Sequence, residues 1–417
     1  MQNYKVSKQR MLREKDNIIN VLVLNGPLVF FSFSALLGLR YSREDGAGLG
    51  YKAYMIFLLL LGVSVYARNL INRRTFFLQE LFPLVCLFIY IISGLLEGFS
   101  DDPVYLQMVC FSLPATCIAL NMNGDKELAG VMRWLDAMLP LFSLSFLFMV
   151  VNIYLSRQEG TGWYDQNASY MIAFCFLIDI YLLRYSDMFD EFPFLNKKWY
   201  KVFKFLLLPY FVVMAFFAGG RGAFITILVG LLFNADLLKK FNPRLLYKIL
   251  AISTVILVLV GYSLAKLDSD YWDLLTNNFD RIFQLVNADV DASTATSGRD
   301  EIYQEAFGLF CESPVYGYGL FSYMKLIMHP HNIVLEILLQ GGLILLTVFC
   351  IIFLQALGKF RKIKRIDDSQ ILLTPFVIYP FTQLLFSASY TFVPLFWFSL
   401  SYVYNYRFDR VPVEYSR

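Results

Sequence analysis

His329 and His331 are the only histidines in the 417 residues. They flank Pro330 in MHPHNIVLEILLQGG, residues 328–342, at the head of a long apolar run. An imidazole titrates near neutral pH, so it can take a proton from a hydroxyl during a reaction. The plainer reading is a helix start at Pro330 and Asn332 with both rings in water. Two arginines stand where an anion could bind. Arg221 lies in AGGRGAFITILVG, residues 218–230, beside Gly219, Gly220 and Gly222, which would let a ligand approach the backbone. Its guanidinium can snorkel to a membrane boundary or present a planar fork to an anion. Arg299 opens SGRDEIYQEAFGLF, residues 297–310, where a cation opposes the helix dipole and a bound anion or an acid partner would compensate it. Arg157, Trp163 and Tyr164 in residues 156–169 add a cation and two aromatic rings, suited to an interface belt or to stacking on a sugar. A neutral imidazole beside anion-binding guanidinium groups suits the role of a general base.

The elements that must hold these groups are membrane helices. Apolar residues make up 58% of the chain and charged residues 17%, against about 25% charged in a soluble domain. Runs of roughly 20 apolar residues suffice to cross a bilayer. They predict twelve spans, near 18–39, 52–67, 77–97, 103–120, 131–155, 168–186, 202–218, 223–238, 247–266, 331–356, 371–388 and 391–406. With both termini in the cytoplasm, 27 of the 36 Lys and Arg fall on the inner side, as the positive-inside rule requires. Arg157, Arg221, Arg281, Arg299 and both histidines then share the outer face. The basic runs are topological signals and contacts for anionic lipid rather than a nucleic-acid surface. The first 17 residues are polar and precede a span too long for a signal-peptide core, so no cleaved signal is expected. The six cysteines show no paired spacing, so neither a disulfide framework nor a metal site is expected.

The organisation expected is therefore nine spans in 1–266, a large outer loop in 267–328, and three spans with a cytoplasmic tail in 329–417. The loop carries ten acids and three bases. Helical spacing predicts an interfacial helix over 271–286, which bears Arg281, and a second helix over 297–310, which bears Arg299 and Tyr303 and opens on a Ser297–Asp300 capping box. A transporter has the same twelve-span layout. Against it, the spans hold few acids of the kind that mark ion coupling, and no matching Gly/Pro-broken halves.

At these residues the chain resembles the O-antigen ligase/polymerase superfamily of bacterial envelope glycosyltransferases. Gly220–Arg221–Gly222 carries one part of the likeness. SGRDEIYQEAFGLFCESPVYGYG, similar to the family's Gly-Arg and P-x-x-G-x-G segment, carries another. The third is the His-Asn element, which maps onto His331, Asn332, Leu335 and Gly342. Residues 157–345 are covered; Gln340 stands where an acid is usual and Leu345 where a glycine is usual. The resemblance implies an all-α polytopic, GT-C-like membrane enzyme of about 12 transmembrane helices, in the bacterial inner (plasma) membrane with its site facing outward. The donor it implies is a glycan on undecaprenyl diphosphate and the acceptor is a glycan or a lipid. Membrane lipids, a chain-length regulator and a flippase are the further partners, and no metal or other cofactor is implied. His331, Arg221 and Arg299 take the catalytic roles. Gly220, Gly222, Arg281, Arg157, Asn332, His329, Trp163 and Tyr303 line the substrate. Polymerase and ligase share these motifs and stay open as alternatives.

Overall fold

The computed structural model describes residues 14–38, 49–73, 78–99, 102–122, 125–158, 165–185, 197–234, 299–321, 323–327, 329–366 and 372–406, together with Ala251, Val255, Val258, Leu259, Tyr262 and Lys266. Among these residues the regular elements are helical. Helices α1 (Glu14–Leu24) and α2 (Gly26–Leu36) meet at an 84° bend. There follow α3 (Leu49–Arg73), α4 (Leu78–Leu96), α5 (Pro103–Gln107), a π-helical stretch (Met108–Ser112) and α6 (Leu113–Asn121). Next come α7 (Asp125–Gln158), α8 (Asp165–Tyr185), α9 (Lys198–Ala218) and α10 (Arg221–Phe233). The C-terminal part holds α11 (Arg299–Glu312), α12 (Tyr323–Leu326), α13 (Ile333–Ile366), α14 (Thr374–Phe386) and α15 (Pro394–Asn405).

Every predicted window except 247–266 contains one of these helices, and the six described residues of that window are helical as well. Among the described residues, five helices are long and apolar enough to cross a membrane, or six if α1 and α2 form one bent span. Helices α3 and α4 turn apolar faces outward: Ile56, Phe57, Leu60 and Val63 on α3, and Phe88, Ile89 and Ile92 on α4, are exposed. Water would demand polar residues there, whereas lipid does not. The helix predicted over 297–310 is met by α11; the one predicted over 271–286 lies outside the described residues.

The chain divides into two compact units, one of residues 1–30, 47–135 and 301–417 and the other of 31–46 and 136–300. In the first, α6 packs on α3 and α15. Gly62 of α3 makes the approach close, since a Cβ there would stand 2.4 Å from that of Pro114. A core of Leu87, Tyr90, Met108, Ile333, Ile337, Leu384, Tyr390 and Trp397 joins α4, α13, α14 and α15. In the second unit α8 is the central helix, with 83% of its apolar window buried, and it packs on α9 and α10. Arg184 in its last turn donates to the Phe233 carbonyl at 3.2 Å and to Asn234 Oδ1 at 3.0 Å, closing the end of α10.

The spans hold more charge than their windows suggested. Glu80, Asp136, Asp179, Lys204 and Glu336 are all buried. Glu80 is paired with Arg73 and accepts a hydrogen bond from the Tyr66 hydroxyl at 2.8 Å. In the second unit Lys204 of α9 sits between Asp136 of α7, at 2.5 Å, and Asp179 of α8, at 3.3 Å. Removing one member of such a cluster leaves uncompensated charge, which costs about 3–5 kcal/mol. Lys204→Met is therefore expected to lower the thermal midpoint and the yield of monodisperse extracted protein. An unchanged midpoint would show that this cluster does not hold the three helices together.

Candidate active site

Helix α13 is not one rod. Gly341 (φ −145°, ψ 21°) and Gly342 (φ 57°, ψ −152°) break it into a half-helix 333–340 and a longer segment 343–366. A break inside a membrane helix must satisfy its backbone groups from elsewhere. The turn that follows α11 does so. Tyr318 N–H donates to the Leu339 carbonyl at 2.8 Å, and Gly319 N–H to that of Gln340 at 2.9 Å. In return Leu343 N–H reaches the Pro314 carbonyl at 2.9 Å, and Ile344 N–H that of Val315 at 3.3 Å. Gly317, at φ 63°, lies so close that a Cβ would be 2.6 Å from the Leu339 carbonyl oxygen. The P-x-x-G-x-G and Gln-Gly-Gly stretches, separate in sequence, are two halves of one interlock. Beside it, Ala306 of α11 packs with Ile327 and Leu339, with Leu309 and Leu335 against them.

The half-helix starts at the histidines. Asn332 is its N-cap, its Oδ1 accepting from Val334 N–H at 2.9 Å and Leu335 N–H at 3.3 Å. Within the described residues Asn332 thus has a structural task beside the substrate contact expected of it. His331 just before it has φ 52°, a left-handed conformation that a β-substituted residue adopts at a cost. What holds it there also fixes both rings. The Ser387 carbonyl can only accept, and it lies 2.7 Å from His331 Nδ1, so that nitrogen carries the proton. The lone pair of the ring is then on Nε2. The His331 backbone N–H can only donate, and it donates to His329 Nδ1 at 3.0 Å. His329 therefore carries its proton on Nε2, which faces Glu336 Oε2 at 3.5 Å. The two rings lie edge to face, with centroids 4.8 Å apart.

Behind the histidines is a buried polar network that sequence reasoning did not find. Glu336, one turn into the half-helix, is wholly buried. Its Oε1 accepts from the Ser389 hydroxyl and from Gln340 Nε2, the latter at 3.4 Å. Ser389 is bonded to Thr391 Oγ1 at 2.7 Å. The Tyr390 hydroxyl donates to Gln340 Oε1, and that of Tyr90 lies 2.5 Å from Tyr390's. One signal was available: a single acid in a window as apolar as 331–356 needs a partner.

Arg221 begins α10 in the second unit. Gly219, at φ 80°, ends α9 with its N–H on the Phe216 carbonyl at 3.0 Å, and Gly220 is the N-cap of α10. This two-residue turn points a guanidinium-bearing residue at the boundary between two apolar helices. The space beside Gly222 belongs to the protein: a Cβ there would stand 1.7 Å from the buried Tyr170 hydroxyl. Gly222 is thus explained by helix packing, where close approach of a ligand was expected. Arg299 is the first residue of α11 and is half-buried, as is Tyr303 one turn on. Arg157 falls in the last turn of α7; Trp163 and Arg281 lie outside the described residues. The structure thus brings His329, His331 and Asn332 together in the first unit, while Arg221 and Arg299 belong to the second.

Residues 205–350 match the family model described as O-antigen ligase. No curated protein and no solved structure matches the chain. The matched stretch contains Arg221, Arg299, the 313–319 turn, the histidine pair and the broken half-helix, and over it the chain is similar to the O-antigen ligase family.

Proposed function

We propose that the chain is a membrane glycosyltransferase that polymerises undecaprenyl-diphosphate-linked oligosaccharide repeats into a surface polysaccharide on the outer leaflet. The observation that carries this reading is the His331 ring, held in a strained backbone with its lone pair on Nε2 at the N-terminal end of an apolar helix. In this mechanism an acceptor hydroxyl gives its proton to His331 Nε2. Its oxygen forms a bond to the anomeric carbon with inversion. The bond from that carbon to the diphosphate breaks, and the electron pair leaves on the phosphate oxygen. Arg221 and Arg299 stabilise that charge as it develops, without a metal ion. The apolar helices receive the polyprenyl tail. The topology belonging to this reading has twelve spans, both termini in the cytoplasm of a bacterial inner (plasma) membrane, and the site outside.

A ligase that moves a finished chain to lipid A core or another surface acceptor is the second reading, favoured by the description of the matched family. Deleting the gene and separating surface glycans and lipid-linked intermediates on gels decides between them. Surface chains cut down to one repeat unit are expected for a polymerase. Full-length polymer stranded on the carrier lipid would instead make the protein a ligase. Unchanged pools in a strain that makes the polysaccharide would remove the glycosyltransferase reading, and a transporter would take its place.

A further inference from the structure

We propose that Glu336 is a positioning residue that, through His329, locks the tautomer and backbone pose of His331. The inference rests on the reading of His331 as the general base, and it adds a residue that neither the motifs nor the family match singles out. Three contacts link these residues. Glu336 Oε2 faces His329 Nε2 at 3.5 Å, and a carboxylate favours a proton on that nitrogen. With Nε2 protonated, His329 Nδ1 is an acceptor, and it takes the His331 backbone N–H at 3.0 Å. That bond helps to hold His331 at φ 52°. In this pose Nδ1–H of His331 meets the Ser387 carbonyl at 2.7 Å, which leaves the lone pair on Nε2.

Glu336 is itself held. It lies on the first turns of α13, which Asn332 caps, and Ser389 and Gln340 bind its other oxygen. Among the described residues, His329 and His331 face this cluster, with Tyr390 reached through Gln340 and Tyr90 beyond it. A carboxylate that orients an imidazole without touching substrate is a recurring device for selecting the tautomer of a general base. Here the selection passes through a second imidazole. Glu336→Gln would bring an amide N–H or an amide carbonyl to His329 Nε2. The first demands the opposite tautomer, whose Nδ1–H collides with the His331 N–H; the second lacks the charge.

Having two histidines in the whole chain makes a direct test possible. Full-length protein is labelled with ¹⁵N-histidine, placed in lipid nanodiscs and examined by nitrogen NMR, where protonated and unprotonated ring nitrogens are well separated. Two single tautomers are expected in the wild type, with His329 protonated at Nε2 and His331 at Nδ1. Glu336→Gln should mix the tautomers of His329, and Glu336→Asp should preserve them in part. A wild-type His329 protonated at Nδ1, or a Glu336→Gln spectrum with both tautomers unchanged, overturns the proposal even if the variant is poorly stable. Turnover of a lipid-linked glycan by the same preparations gives the second readout. Glu336→Gln should lower kcat by about 10²-fold with donor KM unchanged, and Glu336→Asp should recover part of the loss. A wild type that transfers no glycan would remove the proposed function, while the spectra would still decide the role of Glu336. A wild type that transfers and a Glu336→Gln variant that is equally fast would remove this inference alone.

Discussion

Replacing His331 by asparagine is expected to cut glycan transfer by about 10²–10⁴-fold and to leave the protein folded. Asparagine is the informative choice because two demands meet at this position. The backbone is left-handed at φ 52°, which alanine adopts at a cost of roughly 1–2 kcal/mol and asparagine tolerates. The ring nitrogen Nδ1 donates to the Ser387 carbonyl at 2.7 Å, a bond that an asparagine amide can reproduce. What asparagine cannot supply is the Nε2 lone pair. His331→Asn therefore separates the chemical role from the structural one, whereas His331→Ala disturbs both. The check is turnover of lipid-linked glycan by purified variants of matched thermal midpoint. His331→Asn retaining wild-type turnover would exclude this residue as the base. His331→Asn losing activity together with its fold would make the pose, rather than the lone pair, the essential feature.

The parts of the molecule legible in sequence were those written in contiguous stretches. Apolar windows marked helices because a membrane helix announces itself by length and composition alone. Helix α11 was legible because acids near its start and the turn residues after it lie together in the chain. Pairing between windows was not. Lys204, Asp136 and Asp179 each stand in a different window, and nothing within one window points to the others. Periodicity says which residues share a face, but not which face of another helix they meet. Glu336 was missed for the same reason: its partners His329 and Ser389 lie 7 residues before and 53 residues after it. Gly222 shows the converse. Its place beside Arg221 suggested room for a ligand, and the Tyr170 hydroxyl fills that room from another helix. The histidine cluster could be anticipated because its members are neighbours in sequence, but its tautomers needed the Ser387 carbonyl, 56 residues away.

The interlock between the 313–319 turn and the break in α13 should make Gly342 the least replaceable glycine among those described in the first unit. At φ 57° and ψ −152° its backbone lies in a region almost confined to glycine. A Cβ there would also stand 2.4 Å from the Val315 carbonyl carbon and oxygen and 2.6 Å from the Pro314 oxygen. These are backbone atoms, so no side-chain rotation relieves the clash. Gly342→Ala must then either pull the turn away or refold the break into continuous helix. Either change gives up the bonds from Leu343 and Ile344 to the turn and exposes the carbonyls of Leu339 and Gln340. The expected cost is at least about 3 kcal/mol, read as a large fall in thermal midpoint and as new proteolytic cleavage in residues 313–319. Gly308 supplies the control. It lies inside α11, and a Cβ added there meets nothing within 4 Å. Gly308→Ala should therefore be neutral, or stabilise by about 0.4–1 kcal/mol through the lower entropy of the unfolded chain. If both variants melt together, the turn is not locked into the helix break. If only Gly342→Ala unfolds, the two motifs are one device, which shapes the short half-helix whose N-terminus bears the histidines.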